Sequence, residues 1–233
     1  LTTLITNLGP DLEALYSMFD IDYFKLVREH VGGSKIPKVD ISFVEGAVVT
    51  NRDRETLNEI RKYSSFVVAL GTCASSGNIA YNASRDLDLK AKRLREIEIN
   101  QAEPLSSVIT VDFELSGCPV SVEEFTDALL RLINNIDPIQ PDYSVCNECK
   151  SKGNYCLLES KKVCLGPLAM GGCGAACPTV GTACYSCRGP ATEADLKAYL
   201  LTLEKKDIPK EKALMMLKTF TGKKSKEMFK NER

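Results

Sequence analysis

The sequence predicts an α/β chain, a parallel sheet wound on both faces by helices, followed by a cysteine-rich block and a helical tail. Three observations carry this. Two β-rich runs, VDISFV at 39–44 and FVVAL at 66–70, flank a polar helix-like segment, RDRETLNEIRKY, the order of a βαβ unit. FVVAL is continuously apolar, as a strand buried on both faces must be. Eight of the ten cysteines fall between Cys146 and Cys187, where composition changes abruptly.

Each element has its own signal. Gly9, Pro10 and Asp11 precede Leu12, Leu15, Tyr16 and Phe19, which suits a helix with Pro in its first turn. Ile21 to Val27 is β-rich, and the βαβ unit follows with Leu57 and Ile60 facing inward. Val108 to Phe113 reads as another strand. Ser121 is the N-cap of the next helix, with Glu124 as its capping-box partner and Val120 and Phe125 as a hydrophobic staple; Leu129, Leu130, Leu132 and Ile133 continue its apolar face. The sum is a flavodoxin-like, doubly wound parallel sheet, an architecture that places ligands at the carboxyl ends of its strands. Glu45-Gly46, Gly71-Thr72-Cys73 and Gly117-Cys118-Pro119 all fall at that edge, so Cys73 and Cys118 are expected to converge on one crevice.

DPIQPD at 137–142 reads as a linker. After Pro190, Thr192 and Asp195 form the capping box of a helix to about residue 204. IPKEKALMMLKTFTG gives a second helix, with Pro209 near its start and Gly222 past its end, and Lys223 to Arg233 reads as a frayed charged tail. The expected units are thus 1–140, 141–190 and 191–233.

With 233 residues, 44% of them apolar, the chain can bury a sizeable core. A net charge of −1 gives no electrostatic reason to expect nucleic acid or an anionic membrane surface as partner. No apolar run approaches the ~18 residues of a membrane span, and the visible start shows no secretory pattern. The sequence opens at Leu1 inside an apolar helix-like pattern (Leu1, Leu4, Ile5, Leu8), which leads us to expect a native start further upstream.

The cysteine block, rich in Gly and poor in large apolar residues, cannot cohere by burial alone. Disulfides, tetrahedral zinc and iron-sulfur clusters could each crosslink it. Disulfides suit small secreted domains, whereas this block follows roughly 140 residues of ordinary α/β pattern with no export signal in view. Zinc would use the CxxC pairs Cys146/Cys149 and Cys184/Cys187. Iron-sulfur clusters also take four thiolates each, and eight cysteines divide into two such sets. Elsewhere the signals are bland. Glu45 is a proton-relay or interface carboxylate or an ordinary loop acid. Gly71 and Gly117 serve backbone geometry, and His30, the one histidine, reads as a surface residue. With so little histidine, nucleophilic cysteine catalysis lacks a base, and neither a P-loop nor GxGxxG is present for a nucleotide.

Taken in order, ALGTCASSG, LSGCP, VCNECKSKGNYC, CLGP, GCGAACP and CYSCRGP resemble the small, electron-transferring subunit of NiFe hydrogenases, over nearly the whole chain. The resemblance is closest to the cytosolic, multisubunit type linked to NAD(P), which includes the sulfhydrogenases. It implies an oxidoreductase subunit without a catalytic centre of its own, relaying electrons through 4Fe-4S clusters between a NiFe large subunit and flavin/NAD(P)-binding electron-transfer subunits in the cytoplasm. By position, Cys73 and Cys118 match two ligands of the proximal cluster. Cys146, Cys149, Cys156 and Cys164 match the distal cluster, and Cys173, Cys177, Cys184 and Cys187 the medial one. Membrane-bound relatives have His where this chain has Cys146, and lack the fourth medial thiolate that Cys177 supplies; both differences point to the cytosolic branch. The family's N-terminal CxxC, which completes the proximal set, is not present, and Leu1 to Pro10 match the stretch that follows it; either the sequence begins just after that pair or the protein has lost the proximal cluster. Alternative readings are the small subunit of a deazaflavin-linked or other hydrogenase, a complex I-like oxidoreductase, or a zinc-stabilised interaction module.

Overall fold

A computed structural model describes residues 17–20, 36–86 and 101–230. The expected helix after Gly9-Pro10-Asp11, the Ile21–Val27 strand and His30 lie outside these residues.

Strands β1 (Val39–Glu45), β2 (Ser64–Leu70) and β3 (Phe113–Leu115) form a parallel sheet in the order β1-β2-β3. Helix α1 (Asn51–Tyr63) makes the crossover between the first two. A reciprocal capping box starts it: Thr50 Oγ1 accepts from the Asp53 N–H, and the Asp53 carboxylate accepts from the Thr50 N–H. The pleat then divides β2 between two cores. Val68 and Leu70 pack with Leu115 against Phe125, Ala128 and Leu129 of helix α2 (Val122–Ile133), while Val67 and Ala69 pack with Leu57 of α1 and with Leu105 and Ile109. Both faces are covered, which is why FVVAL carries no polar residue. In register, Glu45 pairs with Leu70 and Leu70 with Leu115, so the three strands end level and deliver their loops to one edge.

Four expectations need correction. The strand expected from Val108 begins only at Phe113. Leu105–Ser107 form a 3₁₀ turn whose Leu105 carbonyl accepts from the Val108 and Ile109 N–H groups, and this local closure withholds them from the ladder. At Ser121 half of the capping box is made. The hydroxyl accepts from the Glu124 N–H, but the Glu124 carboxylate is taken by Arg188, 64 residues on. Helix α3 (Leu196–Lys205) is capped by Asp195, which accepts from the Ala198 N–H at 2.8 Å; residues 191–194 close a turn instead of the first helical turn. Helix α4 (Lys210–Lys230) breaks at Gly222, where the sequence places the helix end, but helix resumes beyond it, so the segment read as frayed is helical to residue 230.

Leu196, Tyr199, Leu203, Ile208 and Leu217 of the C-terminal segment share one core with Val145, Leu157, Leu165 and Leu168. Leu203 and Leu217 are fully buried, each worth ~1.5–3 kcal/mol of transfer free energy. The helical extension thus adds its large apolar side chains to the few that the cysteine block contributes. Among the described residues no helix is long and apolar enough to cross a membrane.

Candidate metal centres

At the carboxyl edge of the sheet, β2 runs directly into the short helix α5 (Gly71–Ser76), which presents Cys73. Gly71 has φ +83° and a Cβ there would lie 3.5 Å from the Gly117 carbonyl, so the two loops touch through backbone. The Asn78 side-chain amide reaches Cys73 Sγ at 3.4 Å and Cys118 Sγ at 3.8 Å. The structure therefore brings the two cysteines around one buried amide. Asn78, which sequence reasoning passed over, is left-handed at φ +50° and its Oδ1 accepts from the Ile79 N–H. Glu45 ends β1 at this edge, exposed.

Helix α6 (Val145–Ser151) carries Cys146 and Cys149 on consecutive turns. With Cys156 and Cys164 they line a cavity of about 30 Å³, closed otherwise by apolar residues such as Val145, Leu157, Leu158 and Pro178. A Cβ on Gly166 would stand 3.2 Å from Cys146 Sγ and 3.6 Å from Cys164 Sγ, filling the space between two thiols. Burial and the neighbouring thiols push Cys146 up to about 11; burial raises Cys164 as well, against the N–H groups of Cys184 and Gly166.

The second cavity, about 160 Å³, is lined by Cys173, Cys177, Cys184 and Cys187, and by Cys118 from the sheet edge. Cys177 rides on the single-turn helix α7 (Ala176–Thr179). Burial pushes Cys184 and Cys187 upward. Each cavity thus holds one complete quartet, divided as the sequence order divides them. They adjoin: Val145 and Pro178 line both, and the Cys184 N–H donates to Cys164 Sγ at 3.3 Å.

Two side chains missed in the sequence hold the second quartet's loops. The Glu148 carboxylate, on α6 between Cys146 and Cys149, accepts from the Gly172 N–H at 2.6 Å and the Ala175 N–H at 2.9 Å, with Cys173 Sγ 3.9 Å away. Arg188, next to Cys187 and 3% exposed, donates from Nε to the Gly171 carbonyl at 2.6 Å and holds both Glu124 oxygens. Burial raises the Glu124 carboxyl above its ordinary range, against the pull of Arg188. An acid inside a CxxC and an Arg after one are the only sequence traces of these roles.

All ten thiols are free in this structure. Among the described residues no group of three or more Cys, His, Asp or Glu side chains is drawn together enough to hold a single metal ion. A zinc site would need four sulfurs at ~2.3 Å from one point. Thiols ranged around a cavity suit a polynuclear group, and buried thiols with raised pKa give up their protons readily only to a strongly cationic partner. Their donor set fits an iron-sulfur cluster in each quartet.

Residues 2–132 match the family described as NADH ubiquinone oxidoreductase, 20 Kd subunit, which takes in Cys73 and Cys118. Beyond that range the likeness continues. The chain is 34% identical over 209 residues to sulfhydrogenase 2 subunit delta of Pyrococcus furiosus, across 86% of this chain and 87% of that one. It is 27% identical over 203 residues to a subunit of the F420-non-reducing hydrogenase of Methanothermobacter thermautotrophicus, across 69% of this chain and 65% of that one. In fold it resembles a chain of an NAD+-reducing [NiFe]-hydrogenase in the H2-reduced state. There the TM-score is 0.53 and the identity 20%, over 60% of this chain and 87% of that one.

Proposed function

Because the chain belongs to the NADH ubiquinone oxidoreductase 20 Kd subunit family and its relatives are hydrogenase subunits, we propose that it is the electron-relaying iron-sulfur subunit of a NiFe hydrogenase. The observation that carries this is the pair of adjoining cavities, one lined by four thiols and the other by four more together with Cys118, and both otherwise largely apolar. Cys146, Cys149, Cys156 and Cys164 would hold one 4Fe-4S cluster, and Cys173, Cys177, Cys184 and Cys187 another. Bound there, such a cluster supplies one-electron redox chemistry at a potential set by the hydrogen bonds and burial of its sulfurs.

The chain's own residues fix where these groups stand. Glu148 ties the helix of the distal quartet to the loop of the medial one, and Tyr199 donates to the Cys164 carbonyl at 3.0 Å. Leu157, Leu158 and Val145 cover the inner side of the first cavity around the buried Cys164, while Cys156 stays exposed. Cys73 and Cys118 are two ligands of a third site whose remaining thiolates the CxxC of the family would provide. Dihydrogen is split on a large catalytic subunit, which the Cys73–Cys118 edge faces; the Cys146–Cys164 side faces acceptor subunits of the flavin/NAD(P)-linked kind, in the cytoplasm.

Co-purification tests the proposal. Tagged chain isolated without oxygen from its native cells should bring down a nickel-containing subunit, and the complex should oxidise dihydrogen while the chain alone does not. Isolation of the chain with no nickel-containing partner, or hydrogenase activity in the chain alone, contradicts it.

A further inference from the structure

We infer that Thr72 is a positioning residue that locks the strand-edge cysteines onto the Cys173, Cys177, Cys184 and Cys187 site and thereby sets the reduction potential of that site; the inference rests on the iron-sulfur reading above. Thr72 is 1% exposed and immediately precedes Cys73. Its N–H donates to the Gly117 carbonyl at 3.1 Å, and the Gly117 N–H donates back to Thr72 Oγ1 at 3.1 Å. That reciprocal pair fixes the loop carrying Cys118. The Thr72 hydroxyl then donates its own proton to the carbonyl of Cys187. One hydroxyl therefore accepts from the Cys118 loop and donates to the backbone of a medial ligand, inside protein, where either group left unpaired is costly.

The consequence lies in the cavity. Cys118 and Cys187 line it together, and the shared Thr72 hydroxyl sets the Gly117–Cys118 backbone against Cys187. An N–H dipole aimed at a ligand sulfur stabilises the negative charge that reduction adds, which raises the potential. Thr72 holds both ends of that contact in place. Val in its stead keeps the shape and removes the hydroxyl, so the Cys118 loop is released from Cys187. The Cys146, Cys149, Cys156 and Cys164 site is held by Tyr199 and by the Leu165–Cys184 backbone bond, and provides an internal reference.

Redox titration of the full chain, followed by the electron paramagnetic resonance of its two reduced sites, decides this. Thr72→Val is expected to shift one midpoint downward, the one whose signal is also lost in Cys187→Ser. The other midpoint stays in place, iron and sulfide content stays unchanged, and Thr72→Ser restores the wild-type value. If Thr72→Val fails to take up iron, Thr72→Ala carries the same expectation. A hydroxyl-free variant with full iron and two unmoved midpoints overturns the inference, and so does an equal shift of both. Wild-type chain without iron and sulfide would instead overturn the reading it rests on.

Discussion

Arg188→Ala is expected to cost about 3–5 kcal/mol of stability, the usual result of removing one partner of a buried ion pair. For a chain of this length that lowers Tm by roughly 10 °C. The size follows from what Arg188 leaves behind. Its guanidinium holds both Glu124 oxygens and the Gly171 carbonyl from a position 3% exposed, and the Glu124 side chain is itself only 18% exposed. Alanine strands a desolvated carboxylate and an unpaired carbonyl. The contact also joins two parts of the molecule, since Glu124 stands in the first turn of α2 on the sheet and Arg188 follows Cys187. Thermal unfolding of Arg188→Ala, beside the double variant Arg188→Met with Glu124→Leu, separates the causes. The double variant should lose much less, because no buried charge remains unpaired. Equal losses would show that the volume of Arg188 matters and its charge does not.

Gly222→Ala is expected to cost at least about 3 kcal/mol, counting a strained backbone and a collision. Gly222 interrupts α4 at φ +50° and ψ −126°, and a Cβ there would run into the Ser76 carbonyl oxygen and lie 2.7 Å from the Asn78 nitrogen. Neither obstacle is a movable side chain. Around this point Ser76 Oγ and Phe220 O lie 3.5 Å apart, Lys224 pairs with Glu114 at 2.6 Å, and Phe220 meets the Tyr185 ring edge-on beside the medial thiols. The substitution should therefore loosen the C-terminal helix from the segment bearing Cys73 and Asn78. Gly153→Ala is the control: its φ is +68°, yet a Cβ there meets nothing within 4 Å, so it carries backbone strain alone, ~1 kcal/mol. Chemical denaturation of both should find Gly222→Ala the weaker by about 2 kcal/mol or more. Indistinguishable midpoints would deny the close approach at Ser76.

What the sequence conveyed depended on whether a signal was local. FVVAL announced β2 because a strand covered on both faces shows a continuous apolar run, and the helix after β1 announced itself by its inward Leu57 and Ile60. The cysteines sorted into their two cavities because their order along the chain follows their position in space. Gly222 marks the break in α4 as glycine at a helix end should, but the close backbone approach it serves is revealed only by the fold. Val108 to Val111 look β-rich, but the 3₁₀ turn at Leu105 captures the Val108 and Ile109 donors. Thr72, Asn78, Glu148 and Arg188 escaped notice for one reason. Their partners Cys187, Cys118, Gly172 and Glu124 lie 24 to 115 residues away, and no spacing rule spans that distance.

The most direct measurement is iron and acid-labile sulfide per chain, with Mössbauer spectra, on protein purified without oxygen. Two four-iron sites are expected, with about eight iron and eight sulfide per chain from the two quartets, and more where the proximal set is complete. Cys164→Ser and Cys184→Ser should each disturb a different one of the two spectral components. Stoichiometric zinc with no sulfide, or two serine variants that disturb the same component, would contradict the assignment of one cluster to each quartet.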